Sequence, residues 1–465
     1  MRIWQRRLGS CAALWVWIVC LVSGASAQDK YRKPFDGLAR PLIDQGYTVG
    51  VFVAVIDGDD VHTFGYGTIA KDSSRAPDAK TVFSIGSVTK TFTALLLADL
   101  VECGHVRLDD PVRKFLPASV AVPRKGDREI TLGDLASHTS GLPRMPANFK
   151  PADPENPYAD YTVEQIYQCL SSYQLPRRPG EAYEYSNLGM GLLGHVLARH
   201  EKKSYEALVV ERICKPLGMN DTTIHLSKEQ ASRCARGHDL ECAPVPFWDT
   251  PSLGGAVALR STGSDLVRCL KAYLGLSDTP LAPAMASCLS RRHAVAGLAG
   301  WSVGLSWLVC DKRDVAWHSG GTGGFFAFVG FDRTRKFGIV WLSNSALWQM
   351  DPLRERLTKI LLGEPVAPLK LRKLAKVDPG ILKRYVGEYR IKPGAVLKVS
   401  LHDGYLFMGS PGKPGASALW PVSETEFFFM ESQDLTVSFV RDRQGNALRL
   451  ILHEGEKQTP AEKIQ

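Results

Sequence analysis

Among its ten cysteines and 11 histidines the 465-residue chain has no Cys-x-x-Cys pair and no His/Cys cluster at zinc-ligand spacing, so the sequence supports no metal site and calls for no cofactor. Also missing is any block of lysine and arginine interleaved with aromatic residues, and with it the footprint of a nucleic-acid binder. The formal net charge of +9 is mild for this length; a basic surface would favour an anionic polymer such as a cell wall, but solubility alone accounts for this much charge. There is no internal repeat and no low-complexity tract. With 45% apolar and 23% charged residues the chain has the composition of a globular protein that buries a large core, in one large domain and one small one.

No apolar stretch reaches the ~20 residues that span a bilayer as a helix. The run around Ala12 to Val22 is too short, follows Arg2, Arg6 and Arg7, and ends at Ala25-Ser26-Ala27, a small-x-small pattern that signal peptidase cleaves. Residues 1–27 therefore read as a signal peptide, which makes the protein exported, periplasmic or secreted, with no stable membrane span after cleavage. Eight cysteines remain beyond it. An even number in an exported chain permits disulfides, and Cys234 and Cys242 bracket a short polar loop that a bridge would close easily; buried thiols are the alternative. Oligomeric state is not legible.

Residues 28–365 read as one α/β block. An early strand, 49–55, is followed by several helices, and strands return at Trp301 to Val309, Gly324 to Phe331 and Phe337 to Leu342, so the sheet is assembled from both ends of the sequence with the helical middle inserted. From 366 to the end the pattern changes to alternating apolar runs such as Val396–Leu401 and Leu435–Val440, with turn pairs Asp403-Gly404 and Gly445-Asn446, a small antiparallel β domain over roughly 375–455.

Three segments carry chemistry. In the first, Phe83-Ser84-Ile85-Gly86-Ser87-Val88-Thr89-Lys90 leads into Phe92, Leu95, Leu96, Leu97, Leu100 and Val101 at helical spacing, closed by Gly104. Ser87 opens a buried helix, and Lys90 lies one turn on, a rise of about 4.5 Å, on the same face. A serine hydroxyl is a poor nucleophile at pH 7; a lysine desolvated against an apolar helix can lose its proton and take the serine's. Alone the spacing is weak: it recurs at Ser410-Pro411-Gly412-Lys413, where Pro and Gly forbid the helix, and a capping serine beside a solvated lysine also fits.

In the second, Tyr185-Ser186-Asn187 stands between the turn Arg178-Pro179-Gly180 and the apolar helix Leu188 to Leu197. Tyr185 can relay a proton if nearby positive charge lowers its pKa, and Asn187 can bind a substrate amide and hold Lys90; a core tyrosine before a helix-starting residue is the plainer alternative. In the third, Trp317-His318-Ser319-Gly320-Gly321-Thr322-Gly323-Gly324, the glycines let backbone approach a ligand, and the N–H of Gly321 can join that of Ser87 as an oxyanion hole.

In this order and spacing the three segments resemble the motifs of serine β-lactamases and penicillin-binding proteins: Ser-x-x-Lys, Tyr-x-Asn and a Lys- or His-x-Gly strand. Leu135-Ala136-Ser137-His138-Thr139-Ser140-Gly141-Leu142-Pro143, Lys215-Pro216-Leu217-Gly218-Met219 and Gly254-Gly255 with Arg260-Ser261-Thr262 are similar to the class C branch, over about residues 33–362. The tail resembles the lipocalin-like carboxy-terminal domain of some D-aminopeptidases. The resemblance implies an antiparallel sheet flanked by helices, an all-helical subdomain, and a small antiparallel β-barrel-like domain. It implies Ser87 as nucleophile, Lys90 and Tyr185 as the acid/base pair, Asn187, His318, Ser319 and Gly320 on the substrate, and Ser87 and Gly321 as oxyanion donors.

One residue departs from the pattern. A typical class C β-lactamase has lysine where this chain has His318, and histidine, with an ordinary pKa near 6.5, is mostly neutral at pH 7 and gains charge only toward pH 6. The expectation is thus a DD-peptidase or D-aminopeptidase acting through an acyl-enzyme on D-alanine peptides of peptidoglycan type; the alternatives are a β-lactamase, a carboxylesterase, and a penicillin-binding receptor with little turnover. Removing residues from about 370 is expected to leave a folded, acylating protein with altered substrate preference.

Overall fold

The structure is a computed structural model describing residues 30–464 except 291, 348–349, 403, 412–415 and 431–433. The expected signal peptide, Asp403, Gly412 and Lys413 lie outside the described residues.

Helix α1 (30–44) presents Phe35, Leu38, Ala39 and Leu42 on one face, the spacing of an amphipathic helix laid on a sheet. The hairpin β1 (Gly50–Asp57) and β2 (Asp60–Gly67) follows. Helix α2 (Thr89–Glu102) is buried along almost its whole length and forms the spine of the helical region. A capping box between Thr131 and Asp134 starts α3 (Leu132–Ala136). The Ser186 hydroxyl accepts from Gly189 N at 2.8 Å and so starts α4 at Asn187 (Asn187–Glu201), which leaves Tyr185 outside the helix in the preceding loop.

The chain then returns to the sheet through β3 (His293–Ala294), β4 (Trp301–Val303), β5 (Leu308–Cys310), β6 (Val315–Thr322), β7 (Phe325–Asp332) and β8 (Phe337–Ser343). The eight strands are antiparallel in the order β2-β1-β8-β7-β6-β5-β4-β3, so β1 pairs with β8 and both ends of the sequence meet at its centre. The single strand expected over Trp301–Val309 is instead the hairpin β4–β5: Ser306, at φ 63°, turns the chain within an alternating run whose periodicity gave no sign of the reversal.

Side chains alternate across the sheet. Phe52, Ala54, Ile56, Val329 and Leu342 face α2 and the helical region, while Val51, Val53, Val55, Phe328 and Trp341 face α1 and α5 (Asp351–Leu361), which contributes Leu353, Leu357 and Leu361. Burial on both faces explains why β1 is apolar at consecutive positions.

Strands β9 (Gly387–Lys392), β10 (Ala395–His402), β11 (Tyr405–Gly409), β12 (Ser417–Pro421), β13 (Glu426–Phe429), β14 (Leu435–Arg441), β15 (Ala447–Glu454) and β16 (Lys457–Lys463) close into an eight-stranded barrel. Leu419, Phe427 and Phe439 fill its interior with Tyr385 and Tyr389. The alternate residues Ala418, Trp420, Phe428 and Met430 point outward and join the core of the first domain beside Tyr47, Leu240 and Leu369. The two domains therefore share a hydrophobic cluster.

The bridge between Cys234 and Cys242 is absent. Both carry free thiols: Cys234 faces the carbonyl of Gln230, and Cys242, in a left-handed turn at φ 57°, reaches the carbonyl of Gly46 at 3.2 Å. Sequence proximity brought them near, but each is directed to a different neighbour.

Candidate active site

Two glycines press the turn carrying Ser87 against β6. Ser87 lies in a 3₁₀ turn, Gly86–Val88, just before α2 rather than inside the helix. Gly86 has φ +49°, and a Cβ there would stand 2.6 Å from Gly321 N; a Cβ on Gly320 would stand 2.1 Å from Ile85 O and 2.6 Å from Ser87 N. Contact this close is open only to glycine, and it sets the backbone of Ser87 beside that of Gly321. Gly320 thus packs closely under the turn and also lines the cleft where the sequence reading placed it on substrate.

Lys90 is fully buried. Its Nζ stands 2.9 Å from Ser87 Oγ and donates to the carbonyl of Ala256 at 2.8 Å. Burial, reinforced by the charge of Arg144, holds its pKa well below the ordinary lysine value, so the amine is the form favoured inside the protein. Tyr185 completes the cluster with its ring centroid 4.8 Å from Lys90 Nζ and 5.0 Å from the Arg144 guanidinium carbon. Burial raises the phenol pKa, and Ser87 and Arg144 only partly oppose it. The sequence-based expectation of a phenol lowered by positive charge is corrected: desolvation outweighs the neighbouring cation, and the phenol keeps its proton.

Asn187 opens α4 and lines the same cleft, but it does not hold Lys90. Its Nδ2 donates to Tyr158 OH at 3.3 Å and approaches Met145 Sδ at 3.4 Å, while Oδ1 is buried with no hydrogen-bond partner. Ala256 has the role that the sequence reading gave to Asn187. His318, on β6, is 5% exposed and donates from Nδ1 to the Ser319 carbonyl at 2.7 Å. Burial and Lys90 push its pKa down to about 3, which removes the expected protonation near pH 6.

Ser87, Tyr185, Asn187, His318, Ser319, Gly320 and Gly321 line one cleft of about 860 Å³. Arg144, Tyr158, Trp248 and Trp301 add to its walls, and α5 contributes Arg354 and Lys359. Beside Ser319 to Thr322, β6 has no strand partner on one side among the described residues, because β5 meets only Ala316 and Trp317. Among the described residues no three His, Cys, Asp or Glu side chains converge as a metal site.

Sequence reasoning missed His138, Arg144 and Ala256. His138 sits at φ 57°, stacks on Tyr185 with centroids 4.6 Å apart, and accepts from Ser186 N at 3.1 Å, so it clamps the Tyr-Ser-Asn loop from beneath. A histidine ahead of Thr-Ser-Gly-Leu-Pro was a visible signal, and Arg144 follows that segment directly. Ala256 acts through its backbone, and a backbone contact across 166 residues leaves no trace in residue types.

A buried lysine of lowered pKa against a serine at the mouth of a helix, with the backbones of Ser87 and Gly321 pressed together beside it, is equipment for acyl transfer, and the comparisons agree. Residues 371–464 match a family described as a domain of unknown function (DUF3471). The D-alanyl-D-alanine-carboxypeptidase/endopeptidase AmpH of Escherichia coli (strain K12) is 31% identical over 337 residues, 68% of this chain and 86% of the relative. A β-lactamase of Pseudomonas fluorescens is 28% identical over 350 residues, 67% of this chain and 93% of the relative. The crystal structure of a β-lactamase/D-alanine carboxypeptidase from Yersinia pestis, complexed with citrate, superposes with a TM-score of 0.63 at 25% identity, over 71% of this chain and 97% of the other. Because residues 35–362 match the family described as Beta-lactamase, over most of the chain, this protein belongs to the β-lactamase family and is a serine hydrolase of that family.

Proposed function

We propose that the protein is an exported peptidase that forms an acyl-enzyme on Ser87 and cleaves D-alanine-containing peptides or amides of peptidoglycan type in preference to β-lactams. The observation that carries the preference is His318. Where a β-lactam would need a cation for its carboxylate, the cleft offers an imidazole whose pKa is pushed down to about 3. The similarity to AmpH, a D-alanyl-D-alanine-carboxypeptidase/endopeptidase by name, supports the same reading. Export rests on the sequence pattern of residues 1–27; no helix among the described residues is long and apolar enough to cross a membrane.

The chemistry follows from the distances. Ser87 Oγ attacks the scissile carbonyl while its proton passes to Lys90 Nζ, 2.9 Å away. The N–H groups of Ser87 and Gly321 receive the negative charge that develops on the carbonyl oxygen; one such donor is typically worth about 10²–10³ in rate. When the C–N bond breaks, the nitrogen needs a proton. The Tyr185 phenol, still protonated, supplies it and regains one from the lysine ammonium. Water then attacks the ester with the same groups acting in reverse, releasing the acid and restoring Ser87.

A panel of a D-Ala-D-Ala peptide, D-alanine nitroanilide, nitrocefin and a nitrophenyl ester tests the reading. The anilide, which presents no carboxylate to that imidazole, is expected to give the highest kcat/KM at pH 7–8. Faster nitrocefin hydrolysis would instead make the protein a β-lactamase.

A further inference from the structure

Away from the catalytic cleft, a second cavity of about 280 Å³ opens where the two domains and the segment between them meet. The first domain contributes Leu240 and Glu241, the connecting segment Leu374 to Val377, and the barrel Tyr405, Leu406, Leu419, Trp420 and Phe427. The connecting segment is held beside the cavity by Ala375 N, which donates to the Pro421 carbonyl at 3.0 Å. Leu240, Leu406, Leu419 and Phe427 are buried, so the wall is largely apolar. At this volume the cavity stands at the lower end of the roughly 300–1,000 Å³ range of small-molecule pockets, and its occupant is a small one.

One polar atom of that wall is unpaired. Trp420 is 1% exposed, with the rings of Tyr47 and Tyr405 centred 6.2 and 5.7 Å from its own, and its Nε1–H is buried with no acceptor among the described residues. An indole N–H can only donate, and a buried donor left unpaired carries its full desolvation penalty. An occupant that brings an oxygen acceptor to this wall relieves it.

Charge is confined to two lining residues, Lys376 and Glu241, which are exposed and pair with each other at 3.6 Å. The field beside them is already unfavourable to a further anion: the Tyr405 phenol is raised in pKa, by burial first and then by Glu241 and Asp239. An ion seated against Leu406 and Phe427 would give up its hydration with no free counter-ion among the lining residues. A neutral molecule meets no such penalty.

We infer that the junction cavity is a binding site for a small uncharged molecule that is apolar over most of its surface and carries one hydrogen-bond acceptor, as a medium-chain ketone, ester or lactone does, with its oxygen accepting from Trp420 Nε1. Such an occupant touches both domains and the segment between them. Because it binds the assembled junction and not the separated parts, it strengthens the attachment of the barrel by mass action. The site is independent of which bond Ser87 cleaves.

The test titrates methyl heptyl ketone into the full-length protein by calorimetry, with nonanoate as an anion of similar length. The ketone is expected to bind one to one, at least about tenfold tighter than nonanoate, and to slow release of the barrel in limited proteolysis. Trp420→Phe keeps an aromatic ring but removes the N–H, and should weaken the ketone about tenfold, the change that one hydrogen bond typically makes. Leu374→Trp, on the connecting segment, fills the cavity while leaving the Trp420 N–H in place, and should abolish binding; it also serves as the second variant if Trp420→Phe does not fold. A ketone lodged in the catalytic cleft would instead bind Leu374→Trp as it binds the wild type. The inference is overturned by no saturable binding of the ketone, by equal or tighter binding of nonanoate, or by unchanged ketone affinity in either variant once circular dichroism shows it folded.

Discussion

Arginine at position 90 would keep a cation on a long stem but not the chemistry, because a guanidinium does not give up its proton in a protein. Lys90→Arg is therefore expected to lose at least about 10³ in kcat/KM, and Ser87→Ala to lose both turnover and covalent labelling, read by intact-protein mass spectrometry. Lys90→Met separates stability from activity. In the unfolded chain Lys90 holds its proton up to about pH 10.5, but burial lowers the folded pKa. Unfolding thus takes up a proton between the lowered folded pKa and about pH 10.5, and over that window the buried amine destabilises the fold. The methionine variant should be inactive yet more stable, on the order of 1 kcal/mol, with a higher Tm at pH 7. A lower Tm would mean that the hydrogen bonds to Ser87 and Ala256 outweigh desolvation. His318 works in the same direction at lower pH. The unfolded ring binds a proton below about pH 6.5 and the folded ring only near 3, so stability falls as pH drops through that window. At pH 4.5 the wild type should lose on the order of 2 kcal/mol more than His318→Gln does relative to pH 7. Equal acid sensitivity would show that the ring protonates in place.

At the scale of elements, the site depends on the contact between the Gly86–Val88 turn and β6. Gly320→Ala puts a methyl group where Ile85 O and Ser87 N already are, so the turn must lift off the strand and separate the two oxyanion donors. Turnover should fall by about 10² or more, with slower labelling of Ser87 and a lower Tm; normal labelling would show that the turn does not need the contact. Much of this was legible in the sequence. Ser87 and Lys90 were readable because their spacing is local, and the barrel because period-two alternation survives when one face of a strand is wet, as in Val396–Leu401. What was lost depended on tertiary structure. The reversal at Ser306 lies inside a segment, Trp301-Ser302-Val303-Gly304-Leu305-Ser306-Trp307, whose period-two alternation fits one uninterrupted strand equally well. The cysteines at 234 and 242 were paired by sequence distance, which says nothing of where their Cβ atoms point. The partner of Asn187 was misassigned because a backbone carbonyl competed for Lys90 and won.

Over the whole molecule, the carboxy-terminal barrel is attached by more than a linker. Trp420 is 1% exposed and stacks toward Tyr47 of the first domain, with ring centroids 6.2 Å apart, and Phe428 and Met430 extend the same apolar contact. The connecting segment is tied down as well, by Leu369 N to the Gly37 carbonyl at 2.9 Å and by Tyr47 OH to the Arg372 carbonyl at 2.8 Å. Cutting the chain at 370 would expose Tyr47 and Leu240, so the truncated protein is expected to lose stability and aggregate, where the sequence alone suggested a separable domain. Trp420→Ala is the gentler probe. Truncating a buried tryptophan typically destabilises by about 3–5 kcal/mol, felt here at the junction, so limited proteolysis should release the barrel from the variant sooner than from the wild type. Catalysis should respond differently from stability. The residues lining the cleft run from Ser87 to Glu364, and none belongs to the barrel; relative kcat/KM values across the substrate panel should therefore be unchanged in Trp420→Ala at temperatures where it stays folded. A shift in the ratio of peptide to nitrocefin turnover would show instead that the barrel shapes the cleft through the core that the two domains share.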